Sequence, residues 1–245
     1  MDFIYDSKGK TDIGQVRSTN QDSFFCSDKK GLFIVADGMG GHAGGEIASK
    51  LCVNEVSSYV STHIKGLSEP IKIRQELAQA VNHASIQIFE KALENPELKG
   101  MGTTATVCKV IGDNAYVAHV GDSRLYLLRC GFLYQMTFDH SLVNEQLRAG
   151  LITKEEAELH HLKNVITRSV GYQEEEDVDT AQFALEPNDF IIICSDGLHG
   201  PVSDQEISAL VSEHGTRAAS KLINLANERG GEDNITVIVI NIKVS

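Results

Sequence analysis

Four aspartates carry the chemistry that this sequence can offer. Asp37 precedes Gly38, Asp122 follows Gly121, Asp196 precedes Gly197, and Asp233 lies between Gly230-Gly231-Glu232 and Asn234. A single Asp-Gly pair is an ordinary turn signal, but each of these four stands at the end of an apolar strand-like run or at the turn that starts one. Strands of one packed sheet system bring such ends together across long sequence separations. Carboxylates gathered in this way are tolerable only when cations or protons hold them. Carboxylate and carbonyl oxygens, without an HExxH or a Cys/His pair, favour Mg2+ or Mn2+ over Zn2+. Two such ions about 3.5–4 Å apart, sharing one carboxylate, activate a water and clamp phosphoryl oxygens. Asp37 is the best bridging candidate, and the Gly38 carbonyl, unshielded by a side chain, is a further oxygen that can approach a metal.

A phosphate needs its own handles. Gly38-Met-Gly-Gly-His42-Ala-Gly-Gly45 is a flexible turn leading into a helix, whose N-terminus favours anions. Arg17, in the polar stretch Arg17-Ser-Thr-Asn-Gln-Asp22, offers a bidentate fork. Taken alone, Arg17 is a surface arginine and His42 a structural histidine; their interest comes from sitting beside the acidic constellation. Rival motifs fit less well. Gly38-x-Gly40-x-x-Ala43 formally matches a dinucleotide fingerprint, yet two successive helices follow where a second parallel strand is needed. No GxxxxGK[ST] or GxSxG is present. No cysteine is followed six residues later by arginine, those positions holding Leu32, Ser58, Asn114, Met136 and Gly200.

The elements that must position these groups follow from periodicity. Leu32 to Ala36, Thr104 to Val110, Ala115 to Val120 and Arg124 to Arg129 read as strands. Glu46 to Ile64 and Ile73 to Leu93 repeat apolar residues at i, i+3 and i+4, as helices do. Ser141 to Ala149 and Lys154 to His160 are short helical stretches joined at Gly150, with a capping box at Thr153 and Glu156. Phe190 to Cys194 is a strand, Ser203-x-x-Glu206 caps a helix, Thr216 to Glu228 is a helix, and Ile235 to Ile242 alternates as a strand. Clustered strands and paired helices predict an α+β fold rather than a βαβ repeat. Glu174-Glu175-Glu176-Asp177 is expected to be a solvated loop.

The 245 residues are 42% hydrophobic and 23% charged with 21 glycines, which excludes collagen, disorder and disulfide scaffolds. No linker or repeat divides them, so one domain over 1–245 is the simplest organisation. With 22 basic against 34 acidic side chains the net charge is −12, which repels nucleic acid and anionic membranes. The longest apolar runs are five residues, against the ~18 a span requires. The N-terminus lacks a signal-peptide pattern. The five cysteines are an odd number without CxxC and read as reduced core thiols. A cytoplasmic, soluble protein is expected.

Several segments together resemble the metal-dependent type-2C serine/threonine protein phosphatases in their compact bacterial form. They are Arg17-x-x-Asn-Gln-Asp22, Val35-Ala-Asp37-Gly-Met-Gly-Gly-His42, Met101-Gly-Thr-Thr104, His119-Val-Gly-Asp122-Ser-Arg124, Asp139-His140, Ile166-Thr-Arg168 to Gly171, Cys194-Ser-Asp196-Gly-Leu198 and Gly231-x-Asp233-Asn234. The resemblance runs in order from Gly9 to Ile242. It implies a four-layer αββα sandwich, with two central antiparallel sheets between antiparallel helix pairs and a flap at about 141–171. It further implies that Asp37 bridges two Mn2+ or Mg2+ ions, that Asp196 and Asp233 complete the first, and that the Gly38 carbonyl contacts the second. Asp22 would hold a water of the metal, Asp122 with Asp196 a weaker third ion, Arg17 the substrate phosphate, and His42 would lie near the leaving group. The expected partners are phosphoserine and phosphothreonine proteins and a cognate Ser/Thr kinase, the chain itself being a monomer. A silent phosphoprotein-binding regulator on the same fold and a phosphatase for small esters are the alternatives. One departure stands out: after Leu198 the family often carries Thr and polar or acidic residues, where this chain has His199-Gly200-Pro201.

Overall fold

The run Leu32-Phe-Ile-Val-Ala36 has no polar face because both of its faces are buried. In the computed structural model, which describes residues 3–41, 44–158, 160–162 and 164–244, the chain opens with strands β1 (Phe3–Asp12), β2 (Asp22–Ser27) and β3 (Leu32–Met39). Helices α1 (Gly44–His63) and α2 (Pro70–Glu94) follow, then a two-residue β4 (Gly102–Thr103), β5 (Ala105–Ile111), β6 (Asn114–Val120), β7 (Arg124–Arg129) and β8 (Phe132–Gln135). The second half holds α3 (Leu142–Arg148), α4 (Lys154–Glu158), β9 (Asp179–Ala184), β10 (Phe190–Cys194), α5 (Asp196–His199), α6 (Asp204–His214), α7 (Ala218–Glu228) and β11 (Ile235–Val244).

Two antiparallel sheets result. One has the order β1-β11-β10-β7-β8; the other has β2-β3-β5-β6-β9, with β4 added beside β3. Period-two alternation then sorts the core into three layers. Leu32, Ile34 and Ala36 pack with Val56, Leu77 and Val81 of α1 and α2. Phe33 and Val35 turn the other way, onto Ile191, Ile193, Ile238 and Ile240 of the opposite sheet. Ile192, Val237 and Val239 face Ile207, Val211, Leu222 and Ile223 of α6 and α7. The order is therefore helices, sheet, sheet, helices, in agreement with the α+β sandwich expected from the sequence.

The predicted central strands and long helices are present. Thr153 and Glu156 form the expected box, with Thr153 N–H donating to Glu156 Oε2 at 2.8 Å and Glu156 N–H to Thr153 Oγ1 at 3.2 Å. The helix expected from Thr216 begins at Ala218, after a 3-10 turn over Gly215–Arg217. Five strands have no counterpart in the sequence reading: β1, β2, β8 and β9, each partly exposed with polar side chains along it, and the buried two-residue β4. Between Ser141 and Arg168 the described residues form α3, α4 and turns outside the two sheets, and Val170 returns to the core under α1 and α2. The two ends of this segment are laced together by Leu142 N–H to the Val165 carbonyl at 2.9 Å and Thr167 N–H to the His140 carbonyl at 2.8 Å. The acidic run 174–177 carries no regular structure and is largely exposed.

The cysteine expectation needs correction. All five thiols are free, but Cys52, Cys108 and Cys194 alone are buried; Cys26 is partly covered and Cys130 is exposed. Cys130 occupies the β7–β8 turn with φ 52°, where no core lies over it. Among the described residues, no helix is long and apolar enough to cross a membrane.

Candidate active site

Each candidate aspartate sits where a strand meets a turn. Asp22 opens β2 and lies opposite Asp37 near the end of β3, in the register that also pairs Phe24 with Val35. Asp196 follows β10 by two residues and Asp233 precedes β11 by two; these strands are neighbours with Cys194 opposite Val237, so their two aspartates come to one end of one sheet. Asp122 lies in the turn from β6 to β7, where the chain passes from one sheet to the other. The site is thus a seam between the sheets.

Backbone hydrogen bonds hold the seam. Asp37 N–H donates to Thr104 Oγ1 at 2.9 Å, while its carbonyl accepts from Thr103 Oγ1 and from Thr104 N–H, each at 2.8 Å. A Cβ on Gly38 would fall 2.0 Å from the Gly45 carbonyl oxygen, so no side chain fits between β3 and the start of α1. Ser195 donates to Asp22 Oδ2 at 2.8 Å and accepts from Thr236 N–H at 3.0 Å, tying the sheets together below the carboxylates. Asn234 accepts from Gln21 N–H at 2.8 Å and donates to the carbonyls of Ile13 and Thr19 at 2.9 and 3.0 Å. That fastens the loop carrying Arg17 against β11.

Arg17 Nη2 lies 2.7 Å from Asp233 Oδ2, and both side chains are partly exposed. Its head group therefore reaches the rim of the acidic cluster. Arg124 is engaged elsewhere. Its Nε and Nη2 donate to Asp139 at 3.0 and 2.7 Å, and its Nη1 to the Tyr126 hydroxyl at 3.0 Å. His42 lies outside the described residues.

Electrostatics shows how crowded with negative charge the seam is. Burial, then the charges of Asp196 and Asp233, pushes the Asp22 carboxyl up to about 7 against the hydrogen bonds from Thr236 and Ser195. Burial, then Asp196 and Asp139, pushes Asp122 up to about 8. Asp37 is raised well above the usual carboxylate range by burial and by Asp22, Asp196, Asp122 and Asp233. Asp196 is raised by burial and Asp233, and relieved in part by a hydrogen bond with Asp37. Among the described residues, two buried carboxyl oxygens of the seam, Asp22 Oδ1 and Asp196 Oδ1, have no hydrogen-bond partner. Among the described residues no group of three His, Cys, Asp or Glu side chains is by itself disposed to hold an ion, so the carboxylates meet as a charge cluster rather than a closed cage. The donor set nevertheless fits hard divalent cations: it is all oxygen, it is over-supplied with negative charge, and it keeps two orphaned acceptors.

Comparison with known proteins settles the family. The Protein phosphatase 2C family profile matches residues 10–235. The chain belongs to the protein phosphatase 2C family. It is 41% identical over 238 residues to a putative protein phosphatase 2C-type of Streptococcus pyogenes, covering 95% of each chain. It is 39% identical over 237 residues to protein phosphatase PhpP of Streptococcus pneumoniae, covering 94% of this chain and 95% of the other. The crystal structure of the Mycobacterium tuberculosis serine/threonine phosphatase PstP/Ppp superposes with a TM-score of 0.91 at 34% identity, covering 98% of this chain and 100% of that one. The catalytic domain of PstP in complex with two manganese ions gives a TM-score of 0.88 at 33% identity, covering 99% and 100%. This phosphatase is accordingly a phosphoric monoester hydrolase of a metal-dependent family.

Some of its working parts escaped the reading of the residues. Ser195, Thr104, Asn234, His140 and His199 all support the seam, yet none was singled out as a site residue. The segments Met101-Gly-Thr-Thr104, Asp139-His140, Cys194-Ser-Asp196 and Asp233-Asn234 contain four of them, and His199 is visible as a departure.

Proposed function

We propose that this phosphatase hydrolyses phosphoserine and phosphothreonine in proteins at the seam of five aspartates, using a dinuclear Mn2+ or Mg2+ centre. The observation that carries the reading is the cluster itself, with its raised carboxyls and two orphaned oxygens where strand ends from both sheets meet. Asp37 would be shared by the two ions, with Asp196 and Asp233 completing one and the Gly38 carbonyl facing the other. Asp22 would orient a water from its orphaned Oδ1, and Asp122 with Asp196 would take a weaker third ion. When bound, such ions lower the pKa of water toward neutrality and polarise phosphoryl oxygens.

The chain's own residues do the rest. Arg17 binds the phosphate dianion, exchanging the Asp233 carboxylate for phosphoryl oxygens and offsetting negative charge as the phosphoryl group transfers. Ser195 holds Asp22 Oδ2, so that the other oxygen keeps a fixed direction. His42 is assigned the proton for the departing alkoxide. The enzyme is read as a single catalytic unit and a monomer in the cytoplasm, opposing a cognate Ser/Thr kinase.

The test is release of phosphate from a phosphothreonine peptide and from an aryl phosphate, with Mn2+, Mg2+ or EDTA. Wild type should act with metal alone, and Asp37→Ala should lose nearly all turnover. Folded wild type inactive with every divalent metal would replace this reading with that of a silent phosphoprotein-binding regulator. Hydrolysis of the aryl ester without the peptide would replace the protein substrate with a small ester.

A further inference from the structure

Two imidazoles grip the turn that carries Asp122. Gly121 N–H donates to His140 Nδ1 at 3.1 Å, and His140 N–H donates to the Gly121 carbonyl at 2.8 Å. On the other side, His199 Nε2 lies 3.0 Å from the Asp122 carbonyl oxygen. A carbonyl can only accept, so this contact makes Nε2 of His199 the protonated nitrogen. The turn has little room to shift, because Gly121 has φ 107° and a Cβ there would fall 2.5 Å from the Thr104 methyl. The Asp122 carboxylate accepts its own backbone N–H. With the preceding residue pinned through both polar groups and the Asp122 carbonyl held by His199, the backbone fixes the direction of the carboxylate.

The source of that grip is specific. His199 is the last residue of α5, and Asp196 is the first. One turn of helix thus presents the Asp196 carboxylate from one end and anchors the backbone of Asp122 from the other. That short element adds a direct tie between the two aspartates to the one the strands supply, in which Cys194 of β10 lies opposite Arg124 of β7.

We propose that His199 is a positioning residue that, by holding the Asp122 carbonyl, sets the affinity of the Asp122–Asp196 pair for a divalent cation. The inference rests on the reading of those two aspartates as ligands. It is tested by calorimetric titration of Mn2+ into the EDTA-stripped, dialysed full chain, for wild type, Asp122→Asn, His199→Leu and His199→Gln. Gln carries an amide N–H to about the place of Nε2, whereas Leu fills the space without a donor. Partners that orient metal ligands commonly change affinity by about 10–100-fold. The weakest Mn2+ step should therefore weaken about tenfold in His199→Leu, stay within about twofold of wild type in His199→Gln, and vanish in Asp122→Asn, with the tighter steps unchanged. An unchanged weak step in His199→Leu, where Asp122→Asn loses it, overturns the role of His199. An unchanged isotherm in Asp122→Asn overturns the ligand reading instead. Should His199→Leu fail to fold, as judged by circular dichroism, His199→Asn takes its place: its amide is too short to reach the carbonyl, so binding equal to that of His199→Gln overturns the proposal.

Discussion

Replacing Asp22 with asparagine should stabilise the EDTA-stripped protein, by an amount that grows with pH. Asp22 is 5% exposed, one carboxyl oxygen is held by Ser195, and the other has no partner among the described residues. Its carboxyl is raised from the ordinary 3.8 to about 7, by burial first and by Asp196 and Asp233 next. The sign follows from proton uptake. Below pH 3.8 both the folded and unfolded chains hold this proton and nothing is lost. Between there and pH 7 the unfolded chain has released it while the folded one has not, so stability falls by about 1.4 kcal/mol per pH unit. Above pH 7 the deficit levels off at on the order of 4 kcal/mol. Asparagine has no proton to release; its carbonyl keeps the bond from Ser195, and its amide turns two donors toward Asp196 and Asp233. In a chain of this size 1 kcal/mol is worth about 2–4 °C, so Asp22→Asn should melt roughly 8–15 °C above wild type at pH 8 and a few degrees above it at pH 5. Differential scanning fluorimetry in EDTA from pH 5 to 8.5 reads this directly. A gap that does not change with pH, or a wild type that melts higher at pH 8, would refute the electrostatic account.

Arg17→Ala should raise KM for a phosphothreonine peptide by about tenfold or more while lowering kcat less, since a charge-assisted fork to phosphate contributes about 1.5–3 kcal/mol. Its pair with Asp233 is partly exposed, so the melting temperature should scarcely move; inhibition by free phosphate identical to wild type would count against the clamp. Native protein treated with iodoacetamide should be alkylated fastest at Cys130, because that thiol is exposed. Cys52 and Cys108, pushed up to about 12 by burial, should stay unmodified, and peptide mapping that found either labelled as fast as Cys130 would contradict the packing.

What could be seen in the residues depended on how local the cause was. β3 and β10 were legible because burial on both faces demands an unbroken apolar run, as in Ile191-Ile192-Ile193, and β11 through its alternation. β1 was not, because an edge strand with Asp6, Lys8 and Lys10 on one side satisfies half its surface with water. Four of the aspartates were conspicuous through their turn neighbours, but Asp22 entered only through the family resemblance, because its place opposite Asp37 is a matter of register between strands. Ser195 and Asn234 were less legible still. Their importance lies in which backbone groups they reach, Thr236 for the one and Ile13, Thr19 and Gln21 for the other, and no property of a serine or asparagine announces that.

The placement of the site explains why its cost is tolerated. Four of the five carboxylates resist ionisation, which is a local loss of stability, yet each stands at a strand end whose other residues lie in one of three apolar layers. Asp22 and Asp37 belong to one sheet, Asp196 and Asp233 to the other, so their separation is set by Phe33 and Val35 packing on Ile191, Ile193 and Ile238. Close-packed interiors do not deform continuously, and the carboxylates therefore cannot drift apart to relieve their repulsion. Held together, they can lower their energy only by keeping protons or by taking up cations. The same rigidity that makes the cluster expensive favours ions small and highly charged enough to sit between oxygens, and in the proposed mechanism Arg17, on a loop at the exposed rim, exchanges its carboxylate partner for a phosphate.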